Sequence, residues 1–345
     1  MTADHQTADH RHSPLDLRLV RYAVVLSEEL HFGRAAARLF IAQQTLSAQI
    51  GQLERRLDAT LFLRDRRSVT LTPAGRRFVE RGRRLLDDAA DLVAETGGTP
   101  RPVRIDVIAE GLTSELAARE LRTRLPGIPI EIMQNHGLTA SVPQVQRGEL
   151  DLAFGRVHGH RSPLPAAVQH RLAFLEPLGI AVPAGHPLAD LERVPVRDLS
   201  ATPLLLHTAP QAEDWADWNE RFFSRFGFDI GHRLHGHGRG AAHSAVLAYG
   251  LPSVTPLATP PPPGLVARPL YAPVPLCPVS VLWASPHPHP VCGLDERVER
   301  LLRTLDELAD EHHWRTLPPE PWWMPDTDLR ALAPSLTAEE LRHAT

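Results

Sequence analysis

Gln43, Gln44, Thr45, Ser47, Gln49 and Gln52 fall on one side of a stretch whose other side is Leu46, Ile50, Leu53 and Leu57. Short polar side chains raised on an apolar backing can hydrogen-bond base edges or phosphate oxygens. Arg64, Arg66 and Arg67 crowd a short segment nearby, where guanidinium groups suit phosphate or a minor groove; a solvated hairpin tip is the plainer alternative. Arg34 and Arg38 can grip a phosphate backbone or serve as ordinary helix-surface charges. A second group lies further along. Thr113 and Ser114 open an expected helix, whose first amides attract anions; plain capping uses the same hydroxyls. His136, Leu138, Arg156, His207 and Thr208 sit at or after expected strand ends and can line one cleft with them. Arg156 there can hold a ligand carboxylate in its fork or make a structural salt bridge.

The elements that must position the first group follow from apolar spacing. Leu17, Val20 and Val24 predict a helix from Asp16 to about Glu29. Gly33 to Phe40 is a short alanine-rich helix, Ile41–Gln43 a turn, and Gln44 onward the helix that carries the polar face. Leu61–Leu63 and Val69–Leu71 read as two strands around the basic tip, and Thr72 with Pro73 starts a long helix. This is a winged helix-turn-helix. On the long helix Phe78, Leu85 and Leu92 recur every seven residues, as do Val79, Leu86 and Val93, which predicts a helix–helix seam between subunits.

Gly97-Gly98-Thr99-Pro100 breaks that helix. Beyond it, strand, helix, strand, helix and strand alternate from Val103 to Phe154, the pattern of a parallel sheet with ligand sites at its strand ends. Further strands are expected at 172–182, 203–206 and 279–283, helices at 215–226, 241–249 and 295–311, and Pro260–Pro263 suits a crossing between lobes. The fold class is therefore α/β overall. The expected divisions are a disordered arm (1–14), the winged helix-turn-helix (15–72), a dimerising linker helix (73–96) and a hinge (97–102). A two-lobed α/β domain follows (103–317; lobe I 103–156 and 264–317, lobe II 157–263), then a C-terminal tail (318–345).

Bulk properties agree with this division. The chain has 345 residues, 43% of them hydrophobic, enough for more than one core. Net charge is -4, yet 33–84 carries 12 arginines against 4 acids, a basic segment on an acidic body. The chain has no lysine, no run of apolar residues long enough for a membrane helix, and an N-terminus without the apolar stretch of a secretory signal. A soluble cytoplasmic protein is expected. Of 19 histidines, His232, His235, His237 and His243 cluster among glycines, but without zinc-site spacing they read as loop residues. Cys277 and Cys292 read as idle thiols rather than a redox pair. No nucleophile–base pair is recognisable, so no catalysis and no cofactor is expected.

LHFGRAAARLFIAQQTLSAQIGQLERRLDATLFLRDRRSVTLTPAGRRF, with RGELDLAFGR at 147–156, HPLAD at 186–190 and AYGLPSVTP at 248–256, resembles the LysR-type transcriptional regulators over residues 15 to about 314. The resemblance implies an effector domain like the periplasmic binding proteins, inducer contact at Thr113 and Ser114, and a homodimer paired into a homotetramer. It also implies duplex DNA with an interrupted palindromic operator as partner, and RNA polymerase is a further partner compatible with that role. The effector expected is a small organic acid or aromatic metabolite. Gln44 stands where the family has proline, Ala48 where it has arginine or another polar residue on the DNA-facing side, and Pro252 near a usual glycine. The alternative is a non-regulatory ligand-binding protein or an enzyme on the same two-lobed fold.

Overall fold

The computed structural model describes residues 15–64, 69–96, 101–135, 137–159, 162–236, 238–285 and 294–345. The expected N-terminal arm, wing tip and Gly97–Pro100 break therefore lie outside the described residues, as do His136, His237 and Cys292. The chain divides into two compact units, residues 1–101 and 102–345.

In the first unit α1 (Leu17–Glu29), α2 (Phe32–Arg38) and α3 (Gln43–Leu57) precede β1 (Phe62–Arg64), β2 (Val69–Leu71) and α4 (Pro73–Thr96). Asp16 caps α1 by accepting from the Arg18 amide, and the His31 ring caps α2 by accepting from Gly33 and Arg34. α2 stops at Arg38, two residues before the expected end, because Phe40 has φ 55. A bulky residue in the left-handed region cannot continue a helix. Leu46, Ile50 and Leu53 of α3 are fully buried against Leu19, Leu26 and Ala35. Glu54 accepts from the amides of Leu61 (2.8 Å) and Phe62 (3.0 Å), which fixes α3 to the antiparallel β1–β2 hairpin. Gly75 is required: a Cβ there would stand 2.1 Å from the Leu61 carbonyl oxygen.

The second unit opens with β3 (Val103–Asp106), α5 (Thr113–Arg124), β4 (Ile130–Met133), α6 (Leu138–Arg147) and β5 (Leu152–Gly155). Next come β6 (Val168–Pro183), β7 (Val194–Pro195), β8 (Leu204–His207), α7 (Glu213–Phe226), β9 (Ile230–Leu234), α8 (Arg239–Tyr249) and β10 (Ser253–Pro256). β11 (Leu265–Tyr271), β12 (Val274–Ala284), α9 (Leu294–Glu311), β13 (Trp322–Trp323), α10 (Asp326–Leu332) and α11 (Ala338–Arg342) complete it. The sheet order is β4-β3-β5-β12-β6-β10-β8-β9, with β3 parallel to β4 and β5, and β8 parallel to β9 and β10.

Two lobes share the long strand β6. Its first part, to Pro177, pairs with β12; its last part, from Leu178, pairs with β10 and β11. The chain thus crosses between lobes inside β6 and again between β11 and β12. The expected crossings at 156/157 and 263/264 were placed too early, because one continuous strand serves both halves. Residues 318–345 are also more than a tail. β13 pairs with β12, and Trp322, Trp323 and Met324 are buried.

Candidate functional site

Two places gather the residues singled out by sequence. The first is the outer face of α3. Gln43, Gln44, Thr45 and Ala48 are exposed, and Ser47, Gln49 and Gln52 are half-buried on the flank. A helix fixed by three buried aliphatic side chains and presenting this polar row has the shape that enters a major groove. Phe40, in the turn just before it, is 96% exposed, the largest apolar surface in this region and one that sequence reading passed over. Arg34 donates to the Glu29 carboxylate (3.2 Å), and Arg38 pairs with Glu28 (2.8 Å) and Glu29 (3.3 Å). Both arginines therefore make surface ion pairs, which cost little to exchange for phosphate. Arg64 ends β1 with its side chain outside the described residues, and Arg66 and Arg67 lie outside them altogether.

The heptad positions expected to form a seam on α4 divide in two. Phe78 packs against the first unit's own core and Val79 is buried, so the first heptad serves the domain itself. Leu85 (39% exposed), Leu92 and Val93 remain on the surface.

The second place is a cavity of about 110 Å³ in the second unit, where the loop after β3 meets β6, β12, α7 and α8. Its apolar lining includes Ile108, Leu112, Phe174, Leu178, Trp215 and Val279. Ser114, buried at the start of α5, lines it and accepts the Ile108 amide at 3.2 Å. The adjacent Thr113 hydroxyl hydrogen-bonds Glu176. His207 also lines it; its ring bonds the Ser253 hydroxyl at 3.0 Å and meets Trp215 edge-on. Burial pushes His207 down to about 4, so the ring is neutral near pH 7.

Three expectations are corrected here. Arg156 lines the cavity but is 2% exposed and already paired. Its Nε and Nη2 donate to Asp328 (2.9 and 2.7 Å), and its Nη1 donates to Asp217 (2.7 Å) and the Asp214 carbonyl (2.9 Å). The fork expected to hold a ligand carboxylate holds Asp328 instead. Leu138 is buried in a core cluster with Val142 and Val145, away from the cavity lining. Thr208 donates to the Leu234 carbonyl at 3.2 Å and does not line the cavity either.

Sequence reading missed Glu176, Arg239 and Asp214. Glu176 had a signal, being the only charged side chain between Leu172 and Val182. Acids inside apolar strands are buried at a cost and commonly mark a site. Burial pushes its carboxyl up to about 7, against which the Thr113 bond and the Arg239 charge work. Its neighbour across the sheet is Cys277, whose thiol burial also pushes up. His232 stacks on Tyr249 at 4.1 Å, and no group of three metal-ligating side chains occurs among the described residues.

The Glu176 shift predicts a pH-dependent stability. Its folded pKa stands above the ordinary carboxyl value of 4.5, so the burial cost is absent below about pH 4.5 and grows as pH rises through about 7. Glu176→Gln should therefore raise the Tm at about pH 8 and leave it unchanged at about pH 4. Equal shifts at both pH values would show that Glu176 carries no buried charge.

A winged helix-turn-helix unit followed in sequence by a two-lobed α/β unit with a cavity at the lobe junction defines the architecture of ligand-responsive DNA-binding proteins. Residues 17–76 match the family model for bacterial regulatory helix-turn-helix proteins of the LysR family, and residues 97–310 match the LysR substrate binding domain. The chain belongs to the LysR family. It is 33% identical over 198 residues to the uncharacterized HTH-type transcriptional regulator YnfL of Escherichia coli, covering 55% of this chain and 65% of YnfL. It is 32% identical over 233 residues to the HTH-type transcriptional regulator XapR of the same organism, covering 62% of this chain and 72% of XapR. The crystal structure of CbnR, a LysR family transcriptional regulator, shares the fold with a TM-score of 0.66 at 20% identity, over 85% of this chain and 99% of CbnR.

Proposed function

We propose that this chain is a sequence-specific DNA-binding transcriptional regulator whose activity is modulated by a small molecule in the cavity at the lobe junction. The observation that carries this reading is the polar face of α3, exposed over a fully buried aliphatic backing within the matched helix-turn-helix. The partners are duplex DNA with an interrupted palindromic operator, a second copy joined through α4 and paired again into a homotetramer, and RNA polymerase at the promoter. The rival reading, an enzyme on the same fold, finds no support in Cys277, because burial raises its thiol whereas an activated nucleophile needs it lowered.

The test is operator binding. Affinity should fall steeply with salt as arginines release counterions. Ser47→Ala and Thr45→Val should each cost about 1–3 kcal/mol on the operator and little on random DNA if they read bases. Equal losses on both DNAs would assign them to phosphate, and no duplex binding at low salt would end the proposal.

Leu85→Asp tests assembly separately. A carboxylate on the exposed seam of α4 should shift sedimentation toward monomer and weaken operator binding, since a single half-site binds poorly. An unchanged oligomer would place the subunit seam elsewhere.

A further inference from the structure

The cavity holds two polar groups with capacity to spare. Arg239, the first residue of α8, spends its Nη1 on Thr259 and the Gly111 carbonyl, and its Nη2 on the carbonyls of Thr259 and Pro260. Its Nε is buried without a partner among the described residues. A buried donor left unsatisfied is costly, and in a cavity it points to an acceptor that arrives with a ligand. Glu176, buried on β6, accepts from Thr113, yet a carboxylate offers about four lone-pair sites. Both side chains line the same cavity, and their charges interact.

The charge around them argues against an anion. The cation at the cavity floor, Arg156, is surrounded by the carboxylates of Asp328 and Asp217, and the buried Asp214 also lines the wall. Arg239 faces Glu176. Once Glu176 is ionised, no cation among the described lining residues is left in excess to offset an incoming carboxylate, and desolvating an unpaired charge is expensive. Apart from the neutral polar groups of Ser114, His207, Thr255 and Cys277, the rest of the lining is mainly apolar. Its volume of about 110 Å³ is smaller than the roughly 150 Å³ cavity that takes benzene, so the ligand's buried part has about four to six heavy atoms.

We infer that the effector is a small uncharged molecule whose head both donates and accepts a hydrogen bond, a carboxamide or a hydroxyl on a short apolar body. Glu176 takes the donor, Arg239 Nε supplies the acceptor's partner, and Phe174, Leu178, Trp215 and Val279 pack on the body. This rests on the proposed reading of the cavity as the effector site and replaces the organic acid expected from sequence.

The experiment compares isobutyramide, isobutanol and isobutyrate by calorimetry on the full chain at about pH 8, where Glu176 is mostly ionised. The amide and the carboxylate have nearly the same shape and differ in whether they donate or carry charge. Isobutyramide and isobutanol should bind, and isobutyrate should bind at least about tenfold more weakly, the worth of one hydrogen bond to a charged group. Glu176→Gln should narrow that gap by raising isobutyrate affinity. Arg239→Met should weaken amide and alcohol together, with thermal unfolding confirming that each variant is folded. Isobutyrate binding as tightly as the amide, an unchanged ratio in Glu176→Gln, or no binding of either uncharged probe overturns the inference. Operator binding by the same preparation separates the two claims. If DNA binding holds while the amide fails, the ligand class falls alone; if the amide binds and operator affinity does not respond, the effector reading falls.

Discussion

Arg156→Ala is expected to destabilise the second unit by about 3–5 kcal/mol, a loss that does not depend on any ligand. The guanidinium is 2% exposed and its principal partner Asp328 is 0% exposed. Removing the cation leaves a buried carboxylate whose pKa burial already raises and which Arg156, by its charge and its hydrogen bonds, does most to hold down, with a smaller contribution from His158. It also empties the space beside Gly159, where a Cβ would stand 2.1 Å from Arg156 Nη1. The same change frees the Asp214 carbonyl at the start of α7, so the wall of the cavity loosens with it. Asp328→Ala should cost a similar amount, and Arg156→Met combined with Asp328→Leu should recover part of it, because the fully buried Asp328 charge leaves with its partner while Asp214 and Asp217 remain. Urea unfolding of the four chains measures the coupling. If Arg156→Ala unfolds within about 1 kcal/mol of the parent and instead loses ligand affinity, the pair is not structural and the sequence expectation of a carboxylate clamp was right after all.

The difference between those two outcomes shows where sequence reading reached and where it stopped. The position of Arg156 at the end of β5 was legible, since the alternation of strands and helices from Val103 onward has a short-range period. Its partner was not, because Asp328 lies 172 residues further along and no local pattern encodes that distance. The first unit was more legible because its information is local. Leu46, Ile50 and Leu53 announce the buried side of α3 by spacing alone, and the polar side follows. Even there, Phe40 misled the reading of α2, since a phenylalanine gives no hint that its backbone will turn left-handed. The lobe crossings failed for the same reason as Arg156. β6 has 16 residues, and only its pairing register reveals that one half belongs to each lobe. The cavity's charge balance is likewise a sum over α7, α8, β6 and α10, none of which declares it separately.

The last segment should prove as costly to remove as Arg156. Trp323→Ala is expected to destabilise the second unit by about 3–5 kcal/mol, the usual range for a large aromatic deleted from a packed core. Its ring meets Trp218, Phe222 and Phe226 at 5.4–5.6 Å and is almost wholly buried. Those three side chains form one face of α7, and Trp218 in turn donates to the Leu276 carbonyl at 3.0 Å. A cavity of that size at the joint of α7 and β12 cannot be refilled by small shifts of stacked rings. Trp322 provides the contrast. It is equally buried, but its indole N–H has no acceptor among the described residues, so Trp322→Phe removes an unsatisfied donor along with some volume and should cost far less. The matched family region ends at residue 310, so neither tryptophan belongs to it. A chain ending at residue 317 loses both tryptophans and Asp328 together, leaving Arg156 charged and unpaired by its main partner. Limited proteolysis should then degrade the second unit while residues 15–96 survive as a resistant fragment. A truncated chain with the parent's Tm and protease pattern would show that the segment merely lies on the surface of a core that is complete without it.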